Sequence, residues 1–271
     1  MKWLQALGLI VVAVFATAAV TVHGTRTIVK QQAGPAETLY IRNLAPQYIS
    51  DATIRKDIPA WEQAVNVDFA RYWHTTRFHL VFIGRAKAPV GAMNATFVGK
   101  GPVKGALAYH WLDGNAPSIT VYAGTGVYYG YDNSVSFTHE LFELAADPVT
   151  SLVNQGWPYD YYWLEKKDMS IKMTPQFGVY GWFNEVCDPV EADSYPIGGV
   201  KISDFATPAW FNDGVGQRYD FMGLTKQPFW IRPGGYGQML TAEGWQIITN
   251  FRAGVTTDRG FFLGDPREPT R

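Results

Sequence analysis

The chain has 271 residues, 47% of them hydrophobic and 17% charged, so it can bury a substantial core and is not intrinsically disordered. A formal net charge of −1 and the absence of a basic stripe exclude nucleic acid as an expected partner. The single cysteine, Cys187, excludes a disulfide within the chain, so stability must come from packing and from any bound metal.

Residues 1–22 are almost uncharged and predict export or membrane anchoring. A cleaved signal peptide fits the apolar stretch from Leu4 to Phe15, which small residues follow. A transmembrane anchor fits equally well, because a bilayer is spanned by about 20 apolar residues. The flanking positive charges favour neither alternative. Residues 23–38 are polar and are predicted to form a linker.

A strand is predicted over residues 38–44, and a helix over residues 59–74. Asp57 is expected to cap this helix and Pro59 to begin it, because proline is favoured at the first helical position. One face of the helix carries four apolar side chains at helical spacing, a pattern typical of core packing: Trp61, Val65, Phe69 and Trp73.

Three strands are predicted next, over residues 77–84, 104–111 and 118–124, because each is rich in β-forming residues and is bounded by Gly or Pro. A tight turn at Gly114-Asn115 is expected between the last two. Asn133 or Ser134 is then expected to cap a helix that runs to about Ala146. Its end is set by Pro148, which disfavours helical geometry at Asp147.

Regular structure is harder to predict in the aromatic-rich C-terminal part, which we expect to be largely irregular. Strands are predicted near residues 198–206 and 218–231. Residues 244–251 fit either a short helix or a strand. Residues 234–237 fit a turn, and residues 265–271 should form a frayed tail.

The helix ending near Ala146 carries the motif Thr138-His139-Glu140-Leu141-Phe142-Glu143. Helix positions i and i+4 share one face, so His139 and Glu143 are candidates to bind one metal ion. Glu140 projects about 100° around the axis, beside that ion. In H-E-x-x-H metalloproteases the outer residues bind zinc and the inner Glu is the general base. Glu143 replaces the second His here, and accumulating carboxylates shift a zinc site toward harder ions.

A catalytic zinc usually has a third protein ligand, and the segment Asn184-Glu185-Val186-Cys187-Asp188 offers Glu185. This segment resembles the N-E-x-x-D type segment of the gluzincin branch of the zincins. The order of a long helix, a run of strands and the H-E helix also resembles a zincin, over roughly residues 59–190. Segments 139–148 and 185–195 further resemble bacterial and phage proteins without an established activity.

The zincin resemblance implies an α+β fold in which residues 39–264 form one domain, with a mixed sheet, a backing helix and an H-E-x-x-E active-site helix. It implies that His139, Glu143 and Glu185 bind the metal. It further implies Glu140 as the base that activates water, and Asp188 as a partner that orients a ligand. Asp147 and Asp188 are possible substitute ligands.

Four acidic residues lie within nine positions of the second segment: Glu185, Asp188, Glu191 and Asp193. Burying unpaired carboxylates is costly, so such a cluster faces solvent or meets a cation. Cys187 is expected to be a small buried residue, with soft-ligand chemistry as the alternative. His110 fits either a hydrogen-bonded strand histidine or a side chain that points into the site and stabilises a transition state.

The combined pattern predicts a metal-dependent hydrolase, a peptidase above all, that uses a divalent ion, with zinc expected. The alternative is a non-catalytic exported surface or virion protein in which an ion, if bound, only braces the fold. Abundant aromatic and glycine residues and the missing second His favour that alternative. A third possibility needs no metal, because His139 and Glu143 would form a surface ion pair worth only ~0.3–0.5 kcal/mol.

Overall fold

The computed structural model describes eight stretches of the chain: residues 36–102, 106–149, 153–156, 161–164, 171–174, 180–211, 217–241 and 244–249. The predicted signal or anchor segment, nearly all of the predicted linker and the predicted tail lie outside these stretches. Within them, no helix combines the length and the apolar character that a bilayer crossing requires.

The described residues contain both strands and helices. The strands are β1 (Glu37–Asn43), β2 (Phe78–Gly84), β3 (Asn94–Val98), β4 (Ala108–Asp113), β5 (Ala116–Tyr122), β6 (Val153–Gly156), β7 (Tyr161–Leu164), β8 (Ile171–Thr174), β9 (Tyr180–Phe183), β10 (Ser194–Ile197), β11 (Val200–Ser203), β12 (Tyr236–Thr241) and β13 (Gly244–Thr249). The helices are α1 (Asp51–Gln63), a π-helical continuation (Ala64–Phe69), α2 (Ala70–Trp73), α3 (Ala123–Tyr129) and α4 (Asn133–Ala146), with 3-10 turns at Asp188–Val190 and Pro208–Phe211.

The main sheet is mixed and has the strand order β2-β1-β3-β5-β4. Its first four strands pair in parallel, whereas β4 pairs antiparallel with β5 and lies at the edge. A second, antiparallel sheet has the order β13-β12-β9-β6. The α+β prediction is confirmed. The expectation of a largely irregular C-terminal part is wrong, because backbone pairing builds this second sheet.

The first helix begins earlier than predicted, at Asp51. The Ser50 hydroxyl accepts a hydrogen bond from the Thr53 amide at 3.0 Å, which caps the helix, and Pro59 lies inside it. A proline in a helix interior removes one backbone hydrogen bond. Complete burial of Ile54 and Trp61 in the core offsets that loss. The prediction that Asp57 caps the helix and Pro59 begins it is therefore wrong.

Several strand predictions shift or fail. The predicted turn at Gly114-Asn115 is confirmed between β4 and β5, although β4 begins four residues later than expected, at Ala108. Strand β3 was not predicted, and residues 123–129 form α3 where the strand prediction ran on to residue 124. Residues 218–231 contain one isolated bridge, from Asp220 to Ala206, and no strand. Residues 244–249 are a strand, which removes the helix alternative.

Aromatic packing fixes the position of α4 against the other layers. Three of the four residues predicted as a core stripe are fully buried, and Trp73 is partly buried. Phe69 stacks on Phe142 of α4 with ring centroids 4.8 Å apart. The indole N–H of Trp61 donates to the Ser134 hydroxyl at 2.7 Å, near the start of α4. These contacts place α4 so that its motif faces β4.

The loop after β11 holds a buried carboxyl group. One oxygen of Asp204 accepts hydrogen bonds from the amides of Phe205 and Met222, at 2.9 and 3.1 Å. The other oxygen is buried and has no hydrogen-bond partner among the described residues. Burial, reinforced by the nearby carboxylate of Asp220, raises the pKa of Asp204 to about 8.

Candidate metal centre

Helix α4 presents the three motif side chains to the interior. The prediction that Asn133 or Ser134 caps the helix is wrong, because the Asp132 carboxylate accepts from the Ser134 amide and forms the cap. The helix ends at Ala146 as predicted. His139 and Glu143 lie one turn apart, with Nε2 of the imidazole 3.2 Å from Oε1 of the carboxylate. Both are buried, as is Glu140. An exposed surface ion pair between His139 and Glu143 is therefore excluded.

His110 enters the centre from the edge strand β4. Side chains alternate along a strand, so Tyr109 and Trp111 face outward, 38% and 40% exposed, while only 5% of the His110 side chain is exposed. Nδ1 of His110 lies 3.1 Å from Oε2 of Glu140 and 3.6 Å from Oε2 of Glu143. Of the two alternatives that the sequence left open for His110, the structure supports the one in which its side chain points into the site.

The segment between β9 and β10 closes the centre from the opposite side. The Cys187 amide donates to Oε1 of Glu143 at 3.1 Å, and the Cys187 thiol donates to the carbonyl oxygen of His139 at 3.6 Å. Because both bonds end on α4, the segment is held directly over the motif. Cys187 is fully buried, as expected, and belongs to none of the potential ligand groups found among the described residues.

The same segment supplies three carboxylates. Oδ1 of Asp188 lies 3.3 Å from Nε2 of His139, and Oε2 of Glu191 lies 3.2 Å from Nδ1 of the same ring. The 3-10 turn at Asp188–Val190 accounts for this, since residues three apart line up in a 3-10 helix. Oε2 of Glu185 instead lies 3.9 Å from Nε2 of His110.

Tyr236, which no sequence argument selected, also reaches the centre. Its side chain is half-buried at the start of β12, and its hydroxyl donates a hydrogen bond to Asp188. The preceding Gly235 passes so close to the 3-10 turn that an added Cβ would lie 2.5 Å from the Pro189 carbonyl oxygen. The turn predicted over residues 234–237 lies at residues 233–234, and residues 236 and 237 already belong to β12. The absence of a side chain at Gly235 allows the close approach that brings Tyr236 to the centre.

Of the remaining acidic residues, Asp193 pairs with Arg232 at 2.8 Å, outside the centre. Asp147 is buried at the end of α4, where its carboxylate accepts from the Val149 amide at 3.3 Å. It belongs to none of the potential ligand groups, so the structure gives no support to its role as a substitute ligand.

Three sets of side chains in the described residues have the spacing of metal ligands, each with ligand atoms within 4.8 Å of one another. We name them the His110 group (His110, Glu143, Glu185), the His139 group (His139, Asp188, Glu191) and the helix group (His139, Glu140, Glu143). The buried His and Glu residues thus form a centre that could hold a metal ion. His139 and Glu185, predicted to share one ion, fall into different groups that meet at Glu143.

Mutual repulsion and burial perturb the carboxyl groups of the centre. Burial, reinforced by the charge of Glu143, raises the pKa of Glu185 well above its usual range and that of Asp188 to about 8. Burial also raises the pKa of Glu140. Burial would raise the pKa of Glu143 too, but the adjacent His139 outweighs it and holds that pKa below the usual value.

The two imidazoles respond in the opposite direction. Burial alone would lower the pKa of His110, but the surrounding carboxylates, Glu185 foremost, raise it to about 10. The pKa of His139 is likewise raised, because Glu143 and Glu191 outweigh its burial. Protons on both rings therefore partly offset the negative charge, a task that a bound cation performs equally.

Comparisons of the chain with protein families, with curated proteins and with solved structures found no match.

Proposed function

We propose that this protein is a metal-dependent hydrolase in which Glu140 acts as the general base. The observation that carries the proposal is the placement of Glu140, buried between the imidazole of His110 and the ligand pair His139 and Glu143. A base must lie within hydrogen-bond reach of the water that it activates, and here it adjoins the candidate ion site. Burial raises the pKa of Glu140 above its ordinary value, which is the direction that favours a carboxyl group as a proton acceptor and donor.

A divalent ion bound at Glu143 would polarise the substrate carbonyl and lower the pKa of a water molecule. Glu140 would accept a proton from the attacking water and return it to the leaving group. His110, held against Glu140 at 3.1 Å, orients the base. Imidazole donors favour zinc, whereas the surrounding carboxylates also suit harder ions.

The edge position of β4 supports a peptide as the substrate. Among the described strands, β4 pairs with β5 alone, so its outer edge carries backbone donors and acceptors next to His110. An extended peptide can add to such an edge as a further strand. The order of a helix, strands and then the H-E helix also agrees with the order on which the zincin resemblance rests.

Substitution of Glu140 by Gln tests the proposal. The variant should retain bound metal and fold, and should lose hydrolysis of a fluorogenic peptide library by a factor of about 10²–10⁴. Glu62→Gln is the matched control, because Glu62 forms a similar pair with His79, 3.0 Å apart, away from the centre. Full turnover by the Glu140 variant would show that the proposed base is wrong.

A second candidate is a non-catalytic protein braced by its ion. The observation that favours it is the origin of the ligands in β4, α4 and the segment after β9, which one ion would tie together. Chelation should then lower the melting temperature strongly, with no peptide hydrolysis to lose. A catalytic ion instead predicts loss of hydrolysis with a modest change in melting temperature.

We further propose that the N-terminal residues 1–22 export or anchor the protein, as their apolar composition indicates. Expression with its native N-terminus, followed by membrane fractionation and mass measurement, separates the two forms. A shortened soluble product indicates a cleaved signal peptide, and a full-length membrane-bound product indicates an anchor. A full-length product in the cytosol would contradict both.

A further inference from the structure

The two histidines of the centre occur together in none of the ligand groups, and the His110 group and the His139 group have no residue in common. The His110 group and the His139 group each contain one imidazole and two carboxylates within 4.8 Å of one another. Metal–ligand bonds to nitrogen and carboxylate oxygen are about 2.0–2.2 Å long, so the donors around one ion are separated by at most roughly 4.4 Å. Each group is close to that spacing by itself.

Glu143, a member of the His110 group and of the helix group, contacts both histidines. Its Oε1 is 3.2 Å from Nε2 of His139, and its Oε2 is 3.6 Å from Nδ1 of His110. One carboxylate therefore faces both imidazoles, a different oxygen toward each. A carboxylate that bridges two ions uses its two oxygens in this way, and ions in such pairs are about 3.5–4 Å apart.

The centre also holds enough carboxyl groups for two ions. Five of them surround the two imidazoles: Glu140, Glu143, Glu185, Asp188 and Glu191. With all five ionised and both imidazoles neutral, two divalent ions would leave one negative charge, whereas one ion would leave three to be neutralised by protons.

His110 gives an independent indication that its group binds a ligand. Its side chain is 95% buried, yet Nε2 has no hydrogen-bond partner among the described residues and points toward Glu185 at 3.9 Å. Nδ1 meanwhile contacts Glu140 at 3.1 Å. A metal-binding histidine typically has this arrangement, with a carboxylate on one ring nitrogen and the ion on the other.

We propose that the centre binds two divalent ions bridged by Glu143, one in the His110 group and one in the His139 group. The inference rests on the proposed function, since it extends the same centre from one ion to two. Of the two ions, the one in the His139 group would lie on the side of Asp188, to which the Tyr236 hydroxyl donates a hydrogen bond.

Metal stoichiometry tests the inference. The tag-free, full-length chain, kept in detergent because of its apolar N-terminus, is loaded with Mn²⁺, desalted and measured by elemental analysis and electron paramagnetic resonance. Two ions per chain with an exchange-coupled spectrum are expected. One ion per chain would overturn the two-ion inference and leave the proposed hydrolase intact. No bound ion would overturn both.

Two variants locate the ions. The double variant Asp188→Asn, Glu191→Gln should lose the ion of the His139 group, and His110→Gln should lose the ion of the His110 group. Each should then bind one ion and lack the exchange-coupled spectrum. Asp193→Asn is the control, since this acidic residue of the same segment pairs with Arg232 and should leave two ions. Near-UV circular dichroism establishes folding. Two ions in the folded double variant would overturn the inference.

Discussion

The buried carboxyl of Asp204 provides a test of the electrostatics that does not depend on metal. Its pKa of about 8 in the fold lies above the unfolded value of 3.8, so between these values the folded chain holds a proton that the unfolded chain has lost. Stability then decreases as pH rises through this window. The stabilising contribution of Asp204 is fully present below the unfolded-state pKa of 3.8 and is completely lost above the folded-state pKa of about 8.

The size of this effect follows from the linkage slope. One bound proton changes the free energy of unfolding by about 1.4 kcal/mol per pH unit, so the Asp204 contribution falls by roughly 3 kcal/mol between about pH 5 and pH 7. Asp204→Asn removes the titrating group and keeps an oxygen that can accept from the Phe205 amide. The variant should therefore lack this part of the pH dependence.

Urea unfolding of both proteins at pH 5, 6 and 7 measures the difference. The quantity to compare is the slope of the unfolding free energy against pH in the two proteins. Asp188, with its pKa raised to about 8, adds the same pH dependence to both. Metal content is held equal. If both proteins lose the same free energy over this interval, Asp204 is ionised in the fold and the argument from its buried, unpartnered oxygen is wrong.

Three further changes test the packing around the centre. Phe142→Ala should lower the free energy of unfolding by about 3–5 kcal/mol in urea, because it removes a fully buried ring, and a loss below about 1 kcal/mol would contradict this. Gly235→Ala should weaken Mn²⁺ binding in a titration, because the new Cβ would lie 2.5 Å from the Pro189 carbonyl oxygen. Gly99→Ala is the control and should leave the affinity unchanged, because its Cβ would lie 3.5 Å from the Tyr48 ring. Equal affinities of the two variants would refute the role of this close approach. Ser50→Ala should cost about 1 kcal/mol in a thermal melt by removing the α1 cap, and an unchanged melt would refute it.

Local signals predicted the part of the centre that lies on α4. The spacing of His139 and Glu143 on one helix face, and the end of the helix before Pro148, depend on neighbours in sequence, which the sequence displays directly. The approach of Glu185 and Asp188 to the motif was predicted from a resemblance between segments. The structure places both beside a histidine of the centre, although Glu185 contacts His110 and not His139.

What the sequence did not reveal depends on contacts between distant segments. Glu191 joins the centre because the 3-10 turn at Asp188–Val190 aligns it with Asp188, and the Pro189 inside that turn was the available signal. Tyr236 arrives through the close approach of Gly235 to that turn, which requires the folded partner to be known. The aromatic stretch 218–231 suggested a strand, yet its strand-like backbone pairing is confined to the isolated bridge from Asp220 to Ala206, which includes a hydrogen bond from the Phe221 amide to the Phe205 carbonyl oxygen. Its rings pack into the core, as Phe221 does on Phe205.

The lone thiol gives this protein an internal reporter of motion at the centre. Cys187 is fully buried, bonds to the backbone of α4 and has a pKa that burial raises well above the usual range, so the closed state is inert to thiol reagents. Labelling can proceed only when the segment after β9 lifts from the helix, and its rate then reports how often this happens. The same excursion uncovers His139 and Asp188, so a chelator would gain entry through the movement that exposes the thiol.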